Sequence, residues 1–379
     1  MGSDAIAASG ERSSSMRFAR RKPLPGSRSA TKSRSLLRRS ALGVAFAVLL
    51  PLGVSVLGQG ASASAAFDPA GFDFMVDSPV MGPIKSRIFR AKDGNTDRVV
   101  YALDGLRAPE TLNGWEIETN VAQMLTDWNI NVVMPVGGQS SFYADWNAPS
   151  SFFGVPPSGS GAVGTGSGAT EALLGGPGKS YRYDWETFLT SQLRSALRDR
   201  LGFRADRNGV FGLSMGGSAA LTLAAYHPDQ FSFAGSFSGY LNISAPGMRE
   251  AIRAAMIDAG GYNVDSMAPP WGPQWLRMDP FVFAPQLIAN NTRLWIAAGS
   301  GVPSQQDLGL PLPAATDHIV RGAPLEALAL ANTRSFQVRM MTLGAQNVVY
   351  SFPNVGVHDW FNWQDEAYRM APDLSANIG

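Results

Sequence analysis

Ser214 sits in Gly212-Leu-Ser-Met-Gly216, directly after the strand-like run Val210-Phe-Gly-Leu213 and directly before the helix-like run Ser218-Ala-Ala-Leu-Thr-Leu-Ala-Ala-Tyr226. A serine on so tight a strand-to-helix turn projects its Oγ from the edge of a sheet, and flanking glycines avoid clashes where the backbone is strained. The helix that follows offers free backbone N–H groups and a positive dipole end where an oxyanion would form. These residue types at this spacing point to nucleophilic acyl chemistry. Serine needs a base at neutral pH, and the chain contains three histidines. The order serine, acid, histidine that accompanies such a turn restricts the base to His318 or His358. His227, in Tyr226-His-Pro-Asp-Gln-Phe231, ends the helix after the serine and reads as structural. His318 lies in a segment broken by Pro311 and Pro313 and reads as a surface residue. His358 follows the last strand-like run and a Pro353-Asn-Val-Gly356 turn, just ahead of a final helix, where a loop can reach over the sheet. It is the expected base. Asp307, Asp317 and Glu326 all follow the preceding strand and are open as the acid; topology favours Asp307, and solvated surface charge is the alternative for each.

The elements that must position these groups are legible as short apolar runs at 98–103, 130–136, 209–213, 231–237, 293–298 and 348–352. Their length and their Gly, Asn and Asp boundaries suit buried strands of a parallel sheet. Helical patterns lie between them. Residues 184–201 begin with Asp184 as a candidate N-cap and align Leu189, Leu193, Leu197 and Leu201 on one face, and residues 215–226 and 362–370 also read as helical. Alternation of the two predicts an α/β fold, a mostly parallel central sheet with helices on both faces.

Composition narrows the function classes. The 379 residues carry a formal net charge of +1, 45% hydrophobic residues and no cysteine. Disulfides, thiolate nucleophiles and cysteine-based zinc sites are excluded, and three histidines are too few for the common zinc sites. No metal and no cofactor is expected. The near-neutral total hides a basic leader: Arg and Lys dominate residues 1–39, so the rest is acidic. After Arg38-Arg39, an uncharged run from Ala41 to Gly58 and the small-x-small ends Ala61-Ser-Ala63 and Ala63-Ser-Ala65 predict a secretory signal cleaved after Ala63 or Ala65. A retained membrane anchor is the alternative, opposed by Pro51, Gly53 and Gly58. The expected organisation is a leader over 1–65 and one catalytic domain over 66–379, with a Gly-rich insertion at about 154–180. That insertion ends Gly178-Lys-Ser180, but Leu173 stands where a phosphate-binding loop needs glycine, so nucleotide binding is not expected. Nucleic acid is not an expected partner either.

The chain resembles the antigen 85-type mycolyltransferases. The resemblance rests on Leu103-Asp-Gly-Leu-Arg-Ala108, Asn113-Gly-Trp115, Val133-Met-Pro-Val-Gly-Gly-Gln-Ser-Ser-Phe-Tyr-Ala-Asp-Trp146, Trp185-Glu-Thr-Phe-Leu-Thr190, Gly212-Leu-Ser-Met215 and Tyr226-His-Pro228. It continues through Asp258-Ala-Gly-Gly-Tyr262, Asn290-Asn-Thr-Arg-Leu-Trp295 and the Gly-x-His-x-Trp of 356–360, and covers about residues 70–375. It implies an α/β-hydrolase fold and a serine triad whose acid is Glu326, in Pro324-Leu-Glu-Ala327, which displaces Asp307. It also implies an oxyanion hole from the backbone N–H groups of Leu106 and Met215, and a sugar-binding side with Asp104, Arg107 and Trp360. Arg107 suits sugar hydroxyls as a multiple donor; a surface ion pair with Glu110 or Glu116 is its other reading. Asn242 stands where the family has Asp, and Glu118 where it has Asn. The Gly-rich insertion stands where mycobacterial members close a loop with a disulfide.

The activity so implied is transfer of a mycolyl group from trehalose monomycolate to trehalose or cell-wall arabinan by Ser214, Glu326 and His358, outside the cell or at its envelope. A secreted carboxylesterase or thioesterase, in which water takes the second step, and a non-catalytic envelope or matrix-binding protein are the alternatives. The sequence does not fix the oligomeric state.

Overall fold

The computed structural model describes residues 68–152 and 179–379, apart from the side chains of Ala314 and Asp317. The expected leader and signal, and all but the last two residues of the Gly-rich insertion, lie outside the described residues. No helix among the described residues is long and apolar enough to cross a membrane.

Eight strands form one sheet: β1 Phe72–Ser78, β2 Gly82–Phe89, β3 Val99–Leu103, β4 Asn131–Pro135, β5 Asn208–Leu213, β6 Phe231–Phe237, β7 Arg293–Ala297 and β8 Val348–Ser351, in the order β1-β2-β4-β3-β5-β6-β7-β8. The pairings β1 with β2 and β2 with β4 are antiparallel and the other five are parallel. The six apolar runs read from the sequence are β3 to β8. The β1–β2 hairpin at the edge was not among them. β1 buries only Phe74, Val76 and Ser78, every second residue, so it lacks the continuous apolar run that marks a strand covered on both faces.

Alternate residues of the central strands face two separate cores. Tyr101, Leu103, Val210, Ala234, Leu294 and Ile296 lie in one, and Val100, Ala102, Phe211, Leu213, Phe233 and Phe237 in the other. The main helices are α1 Gly114–Ile117, α2 Val121–Asp127, α3 Leu193–Leu201, α4 Met215–Tyr226, α5 Met248–Gly260, α6 Pro280–Ala289, α7 Ala314–Thr342 and α8 Trp360–Asn377. Residues from α3, α4, α6 and α7 cover the first face, and residues from α1, α2 and α8 the second. This is the α/β-hydrolase arrangement.

Two helices differ from the sequence reading. The 184–201 run is a short α-turn, Trp185–Thr187, then a π-helical Phe188–Gln192, then α3, and the Asp184 side chain makes no capping hydrogen bond. Leu189, Leu193 and Leu197 are buried as the spacing predicts. The second difference is α7, which runs 29 residues with Pro324 inside it. The sequence marks the segment around His318 only as broken by Pro311 and Pro313 and does not show this helix; Pro324 removes one backbone donor, and the helix still folds as one rod.

Candidate active site

Ser214 occupies the turn between β5 and α4 with φ 51° and ψ −120°, a region that costs a non-glycine residue about 1–3 kcal/mol. Its own amide is held by the Phe237 carbonyl at the end of β6, 2.8 Å away. The glycines around it are steric necessities. A Cβ on Gly212 would lie 2.5 Å from the Gly216 carbonyl oxygen, and one on Gly216 would overlap the backbone carbonyls of Asp104 and Leu103. Helix α4 can therefore start so close to β3 and β5 only because Gly212 and Gly216 carry no side chain.

The strand end opposite the serine supplies the second half of the turn. Leu106 follows β3, and neither its amide nor that of Met215 at the start of α4 has a hydrogen-bond partner among the described residues. Asp104, 3% exposed, clamps this loop by accepting the amide N–H of Gly105 at 3.1 Å and of Gly114 at 2.6 Å. Burial pushes its carboxyl up to about 6. The loop is braced from outside by the Met-Pro-Val-Gly-Gly-Gln-Ser-Ser-Phe-Tyr block. Ser140 N donates to Leu106 O at 2.9 Å, Gly137 N to Pro109 O at 3.0 Å, and the Asp104 amide to the Tyr143 hydroxyl at 2.9 Å. Ser140, Phe142 and Tyr143 all have positive φ, between 46° and 56°. That block is thus a strained brace whose backbone amides and Tyr143 hydroxyl hold the loop that carries Leu106.

His358 lies on the loop between β8 and α8. Its Nδ1 is 2.8 Å from Glu326 Oε2, and Glu326, on α7, is fully buried. The other carboxylate oxygen accepts from Ser238 Oγ at 2.7 Å, from the Gly299 amide at 2.5 Å and from Asn362 Nδ2 at 3.3 Å. Three donors plus the imidazole satisfy the buried carboxylate. The indole N–H of Trp363 donates to Ser238 Oγ at 3.0 Å, and its ring stands edge-on to His358 with centroids 4.9 Å apart. The His358 amide is held by the Gly322 carbonyl of α7 at 3.2 Å. His358 is therefore tied to α7 by both backbone and side chain.

Tyr240, two residues past Ser238, was not picked out from the sequence. Its ring stacks on His358 at 6.3 Å and 25°, and its phenol lies near Ser214. Burial and the charge of Glu326 hold the phenol well above its ordinary pKa, so it stays a neutral donor. No motif flags a tyrosine just beyond a strand end; only the fold brings it between serine and histidine.

The remaining candidates divide. Trp360 opens α8, edge-on to Trp115 at 5.5 Å and to Trp363 at 5.2 Å, and it leaves no room for a side chain at Gly114. Arg107 is exposed and pairs with Asp258. Its expected alternative partners are engaged elsewhere: Glu116 holds buried Arg87 and Glu110 holds Lys179. Asn242 donates to Ser335 Oγ of α7 at 3.0 Å. Glu118 is partly buried, which raises its carboxyl pKa. His227 caps α4 and contacts Glu186 at 2.7 Å, the structural role read from the sequence. Two readings are corrected. Asp307 does not approach His358: it caps the short helix Gln305–Leu308 and faces His318 at 3.7 Å. His318 is not a solvent-only residue, since its ring also bonds buried Asp359.

Comparison with known proteins sets this geometry in context. Residues 81–374 match the esterase family model. The chain is 41% identical over 351 residues to a diacylglycerol acyltransferase/mycolyltransferase Ag85B of Mycolicibacterium smegmatis, covering 90% of this chain and 96% of that protein. It is 38% identical to an Ag85C of Mycobacterium avium, covering 89% and 86%. Among solved structures it resembles MPT51 (FbpC1) of Mycobacterium tuberculosis with a TM-score of 0.64 at 30% identity, over 83% of this chain and 100% of that one. An S-formylglutathione hydrolase from Agrobacterium tumefaciens, 14% identical with a TM-score of 0.52 over 84% of this chain and 99% of that one, shares the fold.

Proposed function

The chain belongs to the antigen 85-type mycolyltransferase family of esterases, an acyltransferase group, and on that premise we propose that it moves a mycolyl group from trehalose monomycolate to trehalose or arabinan hydroxyls through Ser214, His358 and Glu326. The observation that carries the reading is the Glu326–His358 hydrogen bond, together with a serine strained at φ 51° on the turn into α4. Glu326 holds the Nδ1 proton on His358, which leaves Nε2 as the acceptor for the Ser214 proton. For attack, the Ser214 hydroxyl donates its proton to His358 Nε2. Ser214 Oγ then bonds to the ester carbonyl carbon, and the oxyanion is taken up by the amides of Leu106 and Met215, about 3 kcal/mol for each donor. Collapse expels the trehalose alkoxide, which takes the proton from His358. A second sugar hydroxyl repeats the sequence in reverse, with His358 as its base.

The acceptor side is assigned to Arg107 and Trp360 on the rim. Asp104 has both oxygens occupied by backbone donors, and its role is to hold the loop that carries the Leu106 amide. Export through the basic leader, with the product made at the envelope, follows from the same reading. The test is incubation of the protein and its Ser214→Ala variant with trehalose monomycolate and excess trehalose. Dimycolate formation is expected from the parent, with a loss of about 10⁵–10⁶-fold in the variant. Free mycolic acid without dimycolate would make the protein a hydrolase, and no turnover by either would make it a binding protein.

A further inference from the structure

The loop that carries His358 is fastened to α7 at three successive turns of that helix. Glu326 takes the His358 imidazole at 2.8 Å, the Gly322 carbonyl takes the His358 amide at 3.2 Å, and the His318 ring bonds the carboxyl of Asp359, the next residue of the loop. His318, Gly322 and Glu326 follow one another at intervals of four residues, which sets them along one stripe of a helix. Gly322 lets the loop come this close: a Cβ there would meet the His358 amide nitrogen and the Val357 side chain at 3.3 Å. The other oxygen of Asp359 reaches the acid as well. Oδ1 accepts the Asn362 amide at 3.1 Å, capping α8, and the Asn362 side chain donates to Glu326 Oε1 at 3.3 Å.

Asp307 completes the outermost of these attachments. Its Oδ2 accepts the Ser304 amide at 2.5 Å, and its Oδ1 turns inward to lie 3.7 Å from the His318 Nε2 that bonds Asp359. Asp307 is 1% and Asp359 4% exposed, and the two carboxyls hydrogen-bond to each other. Two carboxylates this close and this buried do not both ionise, and the bond between them needs one proton. Burial and the bond to Asp307 raise the Asp359 carboxyl, so the proton resides there. His318 Nε2–H then donates to Asp359 Oδ2, the Asp359 hydroxyl donates to Asp307 Oδ1, and both inward oxygens are satisfied. We propose that Asp359 is a positioning residue for His358, clasped to α7 by His318 and by one proton shared with Asp307. The amide and imidazole bonds of His358 alone leave the loop free to rock about the line between them; the clasp on the next residue stops that motion. The proposal rests on His358 being the base of the acyl transfer, a step that a displacement of about 1 Å slows substantially.

The experiment uses the purified full chain and two readouts: turnover of a short aryl ester, and the far-downfield NMR signal of the His358 Nδ1 proton held by Glu326. His318→Ala, and Asp359→Ser, which keeps a helix cap, should each lower kcat about tenfold with KM unchanged. Both should broaden or abolish the Nδ1 signal while thermal melting shows the chain folded. Asp307→Ala should do the same. Asp307→Asn, whose side-chain N–H takes the place of the shared proton, should restore kcat to within about threefold of the parent. An unchanged kcat and Nδ1 signal in His318→Ala and Asp359→Ser would overturn the proposal, and so would Asp307→Asn as slow as Asp307→Ala. A parent that shows the signal, and loses it in the variants, but turns over no ester would uphold the clasp and overturn acyl transfer instead.

Discussion

The two halves of the site are held in opposite ways. The elbow at Ser214 and the loop at Leu106 are fixed by backbone packed on backbone: Gly212 against Gly216, and Gly216 against Asp104 and Leu103. The His358 half is fixed by polar side chains. Glu326 gathers Gly299, His358, Asn362 and Ser238 from 27, 32, 36 and 88 residues away, and Trp363 reaches Ser238 across 125. Close backbone packing leaves no slack, so the first half has no room for an added methyl. A hydrogen-bonded cage has no spare acceptor, so the second cannot lose an oxygen. One half fails by addition and the other by subtraction.

The largest effect expected from this contrast is on turnover. Glu326→Gln keeps the shape of the cage but gives it a donor where His358 needs an acceptor, so kcat/KM should fall about 10³–10⁴-fold with an ester substrate. Thermal melting should show the variant still folded. If activity survives within tenfold, the carboxylate is not what orients the base.

Next comes Gly216→Ala, whose Cβ has only main-chain atoms to push against. It should lower unfolding stability by about 2–4 kcal/mol in urea titration. A stability loss smaller than that of Glu326→Gln would reverse the contrast. The smallest effect concerns Asp104, the one charged member of the first half. Its carboxyl is raised to about 6 from the ordinary 3.8, so the native state holds a proton that the unfolded chain releases between those values. The protein therefore loses stability as pH rises from about 4 to 6 and is level above. Asp104→Asn should remove that slope, shifting the difference in unfolding free energy by roughly 2–3 kcal/mol in favour of the variant between pH 4 and 7. An unchanged slope would place the titration elsewhere.

The same division explains what could be read from the sequence. Sterically fixed parts leave short-range marks: the glycines at 212 and 216 and the apolar runs of β3 to β8 are visible because each depends on its neighbours along the chain. The caged half leaves only the turn that places His358 ahead of the final helix. Distance along the chain favoured Asp307, yet Asp307 turns to Ser304 and His318, while Glu326 comes to His358 on a helix whose internal Pro324 disguises it. Family resemblance pointed to Glu326 where spacing did not. Tyr240 had no mark at all, and His318 looked peripheral because its partners, Asp307 and Asp359, are 11 and 41 residues away along the chain.

Helix α7 carries His318 and Glu326 on one continuous rod. Each residue of such a rod advances about 100° around its axis. A single insertion or deletion between the two would leave every side chain in the sequence and still turn Glu326 or His318 away from its partner. For this stretch the length of the chain is as much a constraint as its composition, and changes in length that a surface loop would absorb have to be excluded from it.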